Sequence, residues 1–199
     1  MTMLRLYLAS QSPRRRELLE QIGVGYSVLA VDIDESRRPG EAASAYVERL
    51  AREKAGAGWA RVETDGLARL PVLGADTAVV IDGDILGKPG DAEAARAMLA
   101  RLAGRSHQVL TGVCLWGGHG PLAAVSSTEV WFRALSEAEI DGYWGGGEPR
   151  DKAGAYGIQG AAALFVERIA GSYSGVVGLP LYETGALLAR YGINPLVNG

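Results

Sequence analysis

Short apolar runs typical of buried strands alternate with apolar residues at helical spacing along the whole chain. The run from Leu4 to Ala9 predicts a first strand. The helix signals that follow are complete, because Ser12 suits the N-cap, Pro13 the first helical position and Gly23 the C-terminal end. Further strands are expected at residues 26–31, 72–80, 85–86, 108–116, 122–134, 163–169 and 176–177, and further helices at 42–59, 91–104, 136–144 and 181–192. The alternation predicts an α/β fold, with residues 1–199 in a single domain of two lobes.

Charge and composition exclude several classes of function. The 199 residues carry 20 Lys and Arg against 23 Asp and Glu, so a net charge of −3 gives no general attraction to nucleic acid or to an anionic membrane. A lone cysteine, Cys114, excludes an internal disulfide and is expected to be a small buried hydrophobic side chain in a cytoplasmic protein. Two isolated histidines, His107 and His119, cannot form a histidine metal motif. The chemistry therefore has to use carboxylates, lysines, arginines and hydroxyls.

A basic cluster marks the junction between the first strand and the first helix. Arg14 and Arg15 stand in the first helical turn, where cations oppose the helix dipole, so a bound phosphate would remove an unfavourable interaction. Together with the Ser10 hydroxyl and the backbone N–H groups of the helix start, they resemble a polyphosphate site. Helical spacing places Arg15 on the inward-facing side, beside Leu18 and Leu19. A solvated basic helix start is the alternative.

Two charged residues fall within apolar patterns. Lys54 lies on the apolar stripe of the helix expected at 42–59, which indicates either an anionic partner or a side chain that extends along the rim of the core. Asp76 interrupts a strand-like run, where a carboxylate has to be paired, hydrogen-bonded or metal-bound. Asp76 is therefore the strongest candidate for a catalytic or metal-binding acid. Lys88 follows the next hairpin, but Pro89 stands where a P-loop carries Ser or Thr, so a P-loop is rejected.

A glycine-spaced segment covers residues 151–160. Glycines make up 28 of the 199 residues, about twice the usual share of roughly 7%. Gly154, Gly157 and Gly160 permit close backbone approach, and the Gln159 amide matches the acceptor and donor edge of uracil or thymine. A glycine-rich surface turn is the alternative. Combined with the basic residues, and with Asp76 beside Glu35 or Asp151 for a divalent cation, the segment predicts a metal-dependent enzyme acting on a nucleoside triphosphate.

Ordered motifs across almost the whole chain resemble the Maf family of nucleotide pyrophosphatases, also called septum formation inhibitor proteins. The resemblance rests on residues 8–15, 73–77, 87–89, 151–160 and 177–180. It implies an α/β fold with an elongated, twisted mixed sheet in two lobes, flanking helices and a cleft between the lobes, similar to inosine triphosphate pyrophosphatase. It also implies hydrolysis of a nucleoside triphosphate to the monophosphate and pyrophosphate with a divalent cation, Mg or Mn, and a possible homodimer.

The same resemblance implies roles for individual residues. Asp76 corresponds to the proton acceptor that activates water, and Glu35 to a position near the metal. The phosphate contacts of the family correspond to Ser10, Arg14, Arg15, Lys54 and Lys88. Arg14, Thr77 and Gln159 match the branch that acts on dTTP and UTP, whereas a related branch that prefers 7-methyl-GTP has Trp, Gln and Glu there.

Two other classes of function are weighed against the enzyme. A binding protein could restrain septum formation through a partner, with the nucleotide as its regulator rather than its substrate. A nucleic-acid module is disfavoured, because the net charge is −3 and no basic, aromatic face is evident. Release of pyrophosphate from dTTP without another protein separates the enzyme from the binding protein.

Overall fold

The structure, a computed structural model, describes residues 3–198 and the side chains of residues 3–197. The strands are β1 (Leu4–Leu8), β2 (Gly25–Val28), β3 (Val72–Ile81), β4 (Asp84–Leu86), β5 (Ser106–Gly117), β6 (Gly120–Phe132) and β7 (Val166–Ala170). The helices are α1 (Pro13–Gln21), α2 (Ala43–Thr64), α3 (Ala92–Leu102), α4 (Glu137–Gly145), α5 (Tyr173–Val177), α6 (Leu181–Arg190) and α7 (Pro195–Asn198). Short 3₁₀ turns cover Glu148–Asp151, Ala153–Ala155 and Ala161–Leu164.

The strands form a mixed sheet in the order β2-β1-β3-β5-β6-β7, with β4 also paired to β3. β1 runs parallel to both β2 and β3, whereas β4 is antiparallel to β3 and β7 is antiparallel to β6. The expected α/β class with a mixed sheet and flanking helices is therefore confirmed.

The chain divides into two compact units. Unit 1 takes in the chain up to Asp76, residues 111–126 and the chain from Gly178 onward, and unit 2 takes in residues 77–110 and 127–177. The single domain and the cleft expected from the sequence stay predictions.

In unit 1, helix α2 packs unusually close to the backbone of β3. Gly74 has no side chain, and a Cβ at this position would lie 2.6 Å from the backbone nitrogen of Ala55 and even closer to the carbonyl oxygen of Ala51. Next to this contact lies a core cluster that includes Tyr7, Leu29 and Val62. The helix is thus fixed against the strand that carries Asp76.

The core of unit 2 contains an aromatic cluster. The ring of Phe132 meets the rings of His107, Tyr156 and Phe165 edge-on, with centroids 4.8–6.0 Å apart. His107 is 3% exposed, and its Nε2 lies 2.8 Å from the Tyr156 hydroxyl oxygen. The Nδ1 atom of His107 has no hydrogen-bond partner among the described residues. The cluster therefore holds a histidine in an environment that disfavours its charged form.

Acidification from about pH 7 to about pH 4.5 is expected to reduce the free energy of unfolding through His107. Burial lowers the pKa of His107 from 6.5 to about 4. Between these values the unfolded chain binds a proton that the folded chain excludes, so stability falls as the pH falls, by up to about 1.4 kcal/mol per pH unit. Urea unfolding across this range measures the slope.

Two variants isolate the contribution of this histidine. His107→Gln should remove that part of the slope, because glutamine does not titrate and still offers a polar partner to Tyr156. His119→Gln is the matched control, since His119 is exposed on the turn between β5 and β6, and it should keep the slope of the wild type. Equal slopes in wild type and His107→Gln would contradict this account.

Several boundaries differ from the sequence predictions. Residues 176–177 are not a strand but the end of α5, β2 ends at Val28 instead of residue 31, and α2 continues to Thr64 instead of residue 59. The strands expected at 72–80 and 85–86 form a hairpin, as predicted, and its turn residues Asp82 and Gly83 have positive φ, 54° and 82°. Short apolar runs fit a strand or a buried helix equally well, which explains the error at 176–177.

Cys114 lies in unit 1 with its side chain fully buried against Ala51 and Ala55. Burial raises the pKa of its thiol to about 11, so the expected role as a small buried hydrophobic side chain is confirmed. No helix within residues 3–198 has the length and apolar character needed to cross a membrane.

Candidate active site

The junction of β1 and α1 brings Ser10 and Arg15 together. Pro13 begins α1 with Ser12 at its N-cap, as predicted, but the Ser12 side chain makes no capping hydrogen bond. Instead, the Ser12 backbone N–H donates to Ser10 Oγ at 3.3 Å, and Arg15 Nη1 donates to the same oxygen at 3.0 Å. Ser10 therefore fixes both the turn before α1 and the side chain of Arg15.

Arg15 is anchored from a second direction, because its Nε donates to the carbonyl oxygen of Gly178 at 2.9 Å. Burial lowers the pKa of its guanidinium below the usual value, and the negative charges of Asp76 and Glu35 oppose that shift. The inward orientation predicted for Arg15 is confirmed, and it lies within electrostatic range of both carboxylates. A cation that is fixed and partly desolvated in this way suits a charged ligand.

Lys54 lies at the centre of the site in unit 1. Its Nζ is 2.7 Å from Asp76 Oδ1 and 2.8 Å from Glu35 Oε1. The side chains of Lys54 and Asp76 are each 12% exposed, whereas that of Glu35 is 58% exposed. Of the two roles left open by the sequence, the structure selects an anionic partner for Lys54, and it shows that Asp76 meets its burial requirement through an ion pair.

The segment that carries Glu35 has no regular secondary structure and is held by α2. The Tyr46 hydroxyl donates to the carbonyl oxygen of Glu35 at 3.0 Å, and Arg49 Nη2 donates to that of Ser36 at 3.0 Å. Arg49 also forms a bidentate pair with Glu41, at 2.6 and 2.8 Å. Sequence reasoning missed Tyr46 and Arg49, although their spacing of three on α2 places them on one helix face.

The two carboxylates fit a divalent cation that shares its remaining ligands with a substrate. Glu35 and Asp76 both contact the Lys54 ammonium, at 2.8 and 2.7 Å, so the two carboxylates lie near one another. In the described part of the chain, no group of three or more His, Cys, Asp or Glu side chains is arranged to hold a metal. Mg²⁺ is commonly bound by one or two carboxylates together with substrate phosphates, so the donor set matches that mode of binding.

The other predicted residues lie in unit 2. Thr77 follows Asp76 on β3 and is partly buried, while Lys88 and Gln159 are exposed. Neither the Lys88 nor the Gln159 side chain forms a hydrogen bond or ion pair with any residue of the described chain. The backbone N–H of Gly154 donates to the carbonyl oxygen of Gly87 at 3.0 Å, which joins the segment of Lys88 to the glycine-spaced segment. Both exposed side chains thus extend from an ordered backbone.

The spacing of the glycines in this segment predicts close approach to the backbone, and the structure identifies the groups that approach it. A Cβ at Gly154 would lie 2.9 Å from Val79, one at Gly157 would lie 2.6 Å from Lys152, and one at Gly160 would overlap the carboxylate of Glu148. The space left by these glycines is thus filled by side chains of unit 2 itself.

Ser10, Arg15, Glu35, Lys54 and Asp76 therefore form one connected site in unit 1, with Arg14 next to Arg15 on α1. Thr77, Lys88 and Gln159 belong to unit 2. The alternative metal ligand, Asp151, pairs with Lys152 at 2.9 Å in unit 2. Within unit 1, Lys54 joins Glu35, one of the two partners suggested for Asp76, to Asp76 itself.

The chain is similar to a protein family, to several relatives in sequence and to a solved structure. A family model described as Maf-like protein matches residues 5–191. A dTTP/UTP pyrophosphatase of Chromobacterium violaceum is 58% identical over 188 residues, which cover 94% of this chain and 95% of the relative. One of Hahella chejuensis is 57% identical over 95% of this chain and 93% of its own length. The solved structure of the Staphylococcus aureus Ham1 protein matches with a TM-score of 0.42 and 13% identity, covering 64% of this chain and 71% of that one.

Proposed function

The chain belongs to the Maf family, and on that premise we propose that it is a nucleoside triphosphate pyrophosphatase that hydrolyses dTTP and UTP. The products are the nucleoside monophosphate and pyrophosphate. One observation carries the proposal: Lys54 Nζ lies within 2.8 Å of both Asp76 and Glu35, and the half-buried Arg15 is in electrostatic range of the same two carboxylates. A cluster that combines fixed cations with two carboxylates suits a polyphosphate and its counter-cation.

The cations of the site bind the triphosphate. Arg14 and Arg15 extend from the first turn of α1, where the helix dipole also favours an anion. Ser10 holds the Arg15 guanidinium in place, and Lys54 adds a further positive charge. Lys88, which belongs to unit 2, is proposed as another phosphate contact. As the bond to the α-phosphorus breaks, negative charge grows on the departing pyrophosphate. Preorganised cations stabilise that charge more than they stabilise the intact substrate.

Asp76 takes the proton from the attacking water. Its carboxylate is 12% exposed and is held by Lys54, so its orientation is fixed before substrate arrives. Glu35 and Asp76 would hold a divalent cation, Mg²⁺ or Mn²⁺, whose charge polarises the α-phosphate when it is bound. Tyr46 keeps the Glu35 segment in reach of the site through its hydrogen bond to the Glu35 carbonyl.

Gln159 selects the base. Its side-chain amide offers one acceptor and donors in the alternation that uracil and thymine require. It is exposed and makes no hydrogen bond within residues 3–197, so a substrate can meet it without breaking an internal contact. Thr77 and Arg14 are proposed as the other two residues that distinguish this preference from one for 7-methyl-GTP.

A substrate panel tests the proposal. With Mg²⁺ or Mn²⁺ present and no other protein, the chain is expected to release pyrophosphate from dTTP and UTP at least about ten-fold faster than from dCTP or 7-methyl-GTP, because a mismatched base edge leaves polar groups unpaired. Chelation with EDTA should stop the release. Preference for 7-methyl-GTP would overturn the role of Gln159, and binding of dTTP without turnover would favour a regulated binding protein.

A further inference from the structure

The segment that carries Gln159 is fastened to both side-chain oxygens of Glu148. Oε2 of Glu148 accepts a hydrogen bond from the backbone N–H of Ala161 at 2.9 Å. Oε1 accepts from the Tyr143 hydroxyl at 2.8 Å, and that hydroxyl oxygen accepts from the backbone N–H of Gly157 at 3.1 Å. One carboxylate thus holds both ends of segment 157–161.

Two glycines pack closely against the Glu148 carboxylate. Gly160 lies so close to the Glu148 carboxylate that an added Cβ would overlap it, and a Cβ on Gly157 would lie 3.3 Å from Glu148 Oε1. Tyr143 is 7% exposed, and burial raises the pKa of its hydroxyl, which therefore remains a proton donor to Glu148. A carboxylate is required here, because two donors converge on it and an amide offers only one acceptor oxygen.

Gln159 lies inside this fastened segment, yet its own side chain is exposed. An amide that has to place a donor and an acceptor against one base edge depends on the position of its backbone, because a small displacement breaks both hydrogen bonds. The geometry points to Glu148 as a positioning residue for base recognition, which fixes segment 157–161 and thereby the Gln159 amide. This inference rests on the proposed function, since it takes uracil or thymine as the partner of Gln159.

Hydrogen exchange measured by mass spectrometry tests the fastening without any catalysis. In Glu148→Gln, the amides of Gly157 and Ala161 should exchange about ten-fold faster. The glutamine amide has only one acceptor oxygen, so either the Tyr143 hydroxyl or the Ala161 N–H loses its charged acceptor. Peptides from β5 should be unchanged. Glu129→Gln is the matched control, because it removes the same charge from an exposed residue of β6. The side chain of Glu129 has no hydrogen-bonded partner among the described residues. Wild-type exchange in Glu148→Gln would overturn the inference.

Substrate discrimination tests the consequence. The ratio of kcat/KM for dTTP to that for dCTP should fall about ten-fold in Glu148→Gln, in proportion to one lost charged hydrogen bond. A ratio within one variant does not depend on the fraction of folded enzyme. Gln159→Ala should lower the ratio as well, and the double variant should be no worse than Gln159→Ala alone, because Glu148 acts through Gln159.

The results of these experiments distinguish a failure of the role inferred for Glu148 from a failure of the proposed function. Wild type that releases no pyrophosphate from dTTP overturns the proposed function. If the wild type discriminates between dTTP and dCTP but the ratio is unchanged in Glu148→Gln, the inference alone is overturned. The same conclusion follows if the losses of the two single variants multiply in the double variant. If Glu148→Gln does not fold, Tyr143→Phe removes the hydroxyl that links Glu148 to Gly157 and keeps the ring. Tyr143→Phe should accelerate hydrogen exchange at Gly157 and, like Glu148→Gln, lower the ratio of kcat/KM for dTTP to that for dCTP.

Discussion

Asp76→Asn is expected to lower the turnover of dTTP about a thousand-fold, within the range found when a general base is removed. The amide has nearly the shape of the carboxylate but cannot take a proton from water, and it offers one charge fewer to a divalent cation. Lys54 keeps its second partner, Glu35, at 2.8 Å, so the fold should survive. Release of pyrophosphate at saturating dTTP measures the loss, and thermal unfolding verifies the structure.

Asp65→Asn provides the control for this substitution. Asp65 lies at the C-terminal end of α2, and its exposed carboxylate pairs with Arg61 at 2.9 Å. Exposed pairs of this kind contribute about 0.3–0.5 kcal/mol, so turnover should remain at the wild-type level. Wild-type turnover in Asp76→Asn would remove Asp76 from the mechanism, and a drop of equal size in both variants would indicate a general loss of structure.

Gly74→Ala is expected to lower the free energy of unfolding by about 3 kcal/mol, at the upper end of overpacking effects. The new Cβ would meet the backbone of α2 at Ala51 and Ala55 rather than a side chain that can rotate away. Gly74 and Asp76 are two residues apart on β3 and so face the same side of the strand. Displacement of α2 would also move Lys54 from Asp76, so turnover should fall together with stability.

Gly185→Ala tests whether loss of a glycine alone causes such effects. Gly185 lies inside α6, and a Cβ there would find open space. Alanine in a helix interior is favoured over glycine by about 0.5–1 kcal/mol, so this variant should be slightly more stable than the wild type. Urea unfolding of both variants gives the comparison. A Gly74→Ala protein as stable as the wild type would show that α2 can move away without cost.

Local patterns predicted much of the fold and of the candidate site. The start of α1 at Pro13, directly after Ser12, and the pairing of the two strands expected at 72–80 and 85–86 depend on neighbouring residues, and the structure has both at the expected position. Asp76 stands out in the sequence because a charge within an apolar pattern requires a partner. In each case the physical constraint lies within one strand or one helical turn.

Contacts between distant segments were not visible in the sequence. Tyr46 and Arg49 hold the segment of Glu35, and Glu148 fills the space beside Gly160, although no local pattern links these residues. The spacing of the glycines shows where close approach to the backbone is permitted but not which group approaches. Only packing identifies that neighbour.

By itself, the sequence determined the α/β class, the family and the residue types of the site, because apolar periodicity, caps and ordered motifs are properties of the chain. The tertiary structure decided which charges meet. It placed Glu35 and Asp76 against the same Lys54 ammonium, which gives Lys54 an ion pair rather than a position along the core rim. The physical reason lies in the close packing of α2 on Gly74, since ion pairs depend on distances of a few ångströms that only packed elements fix.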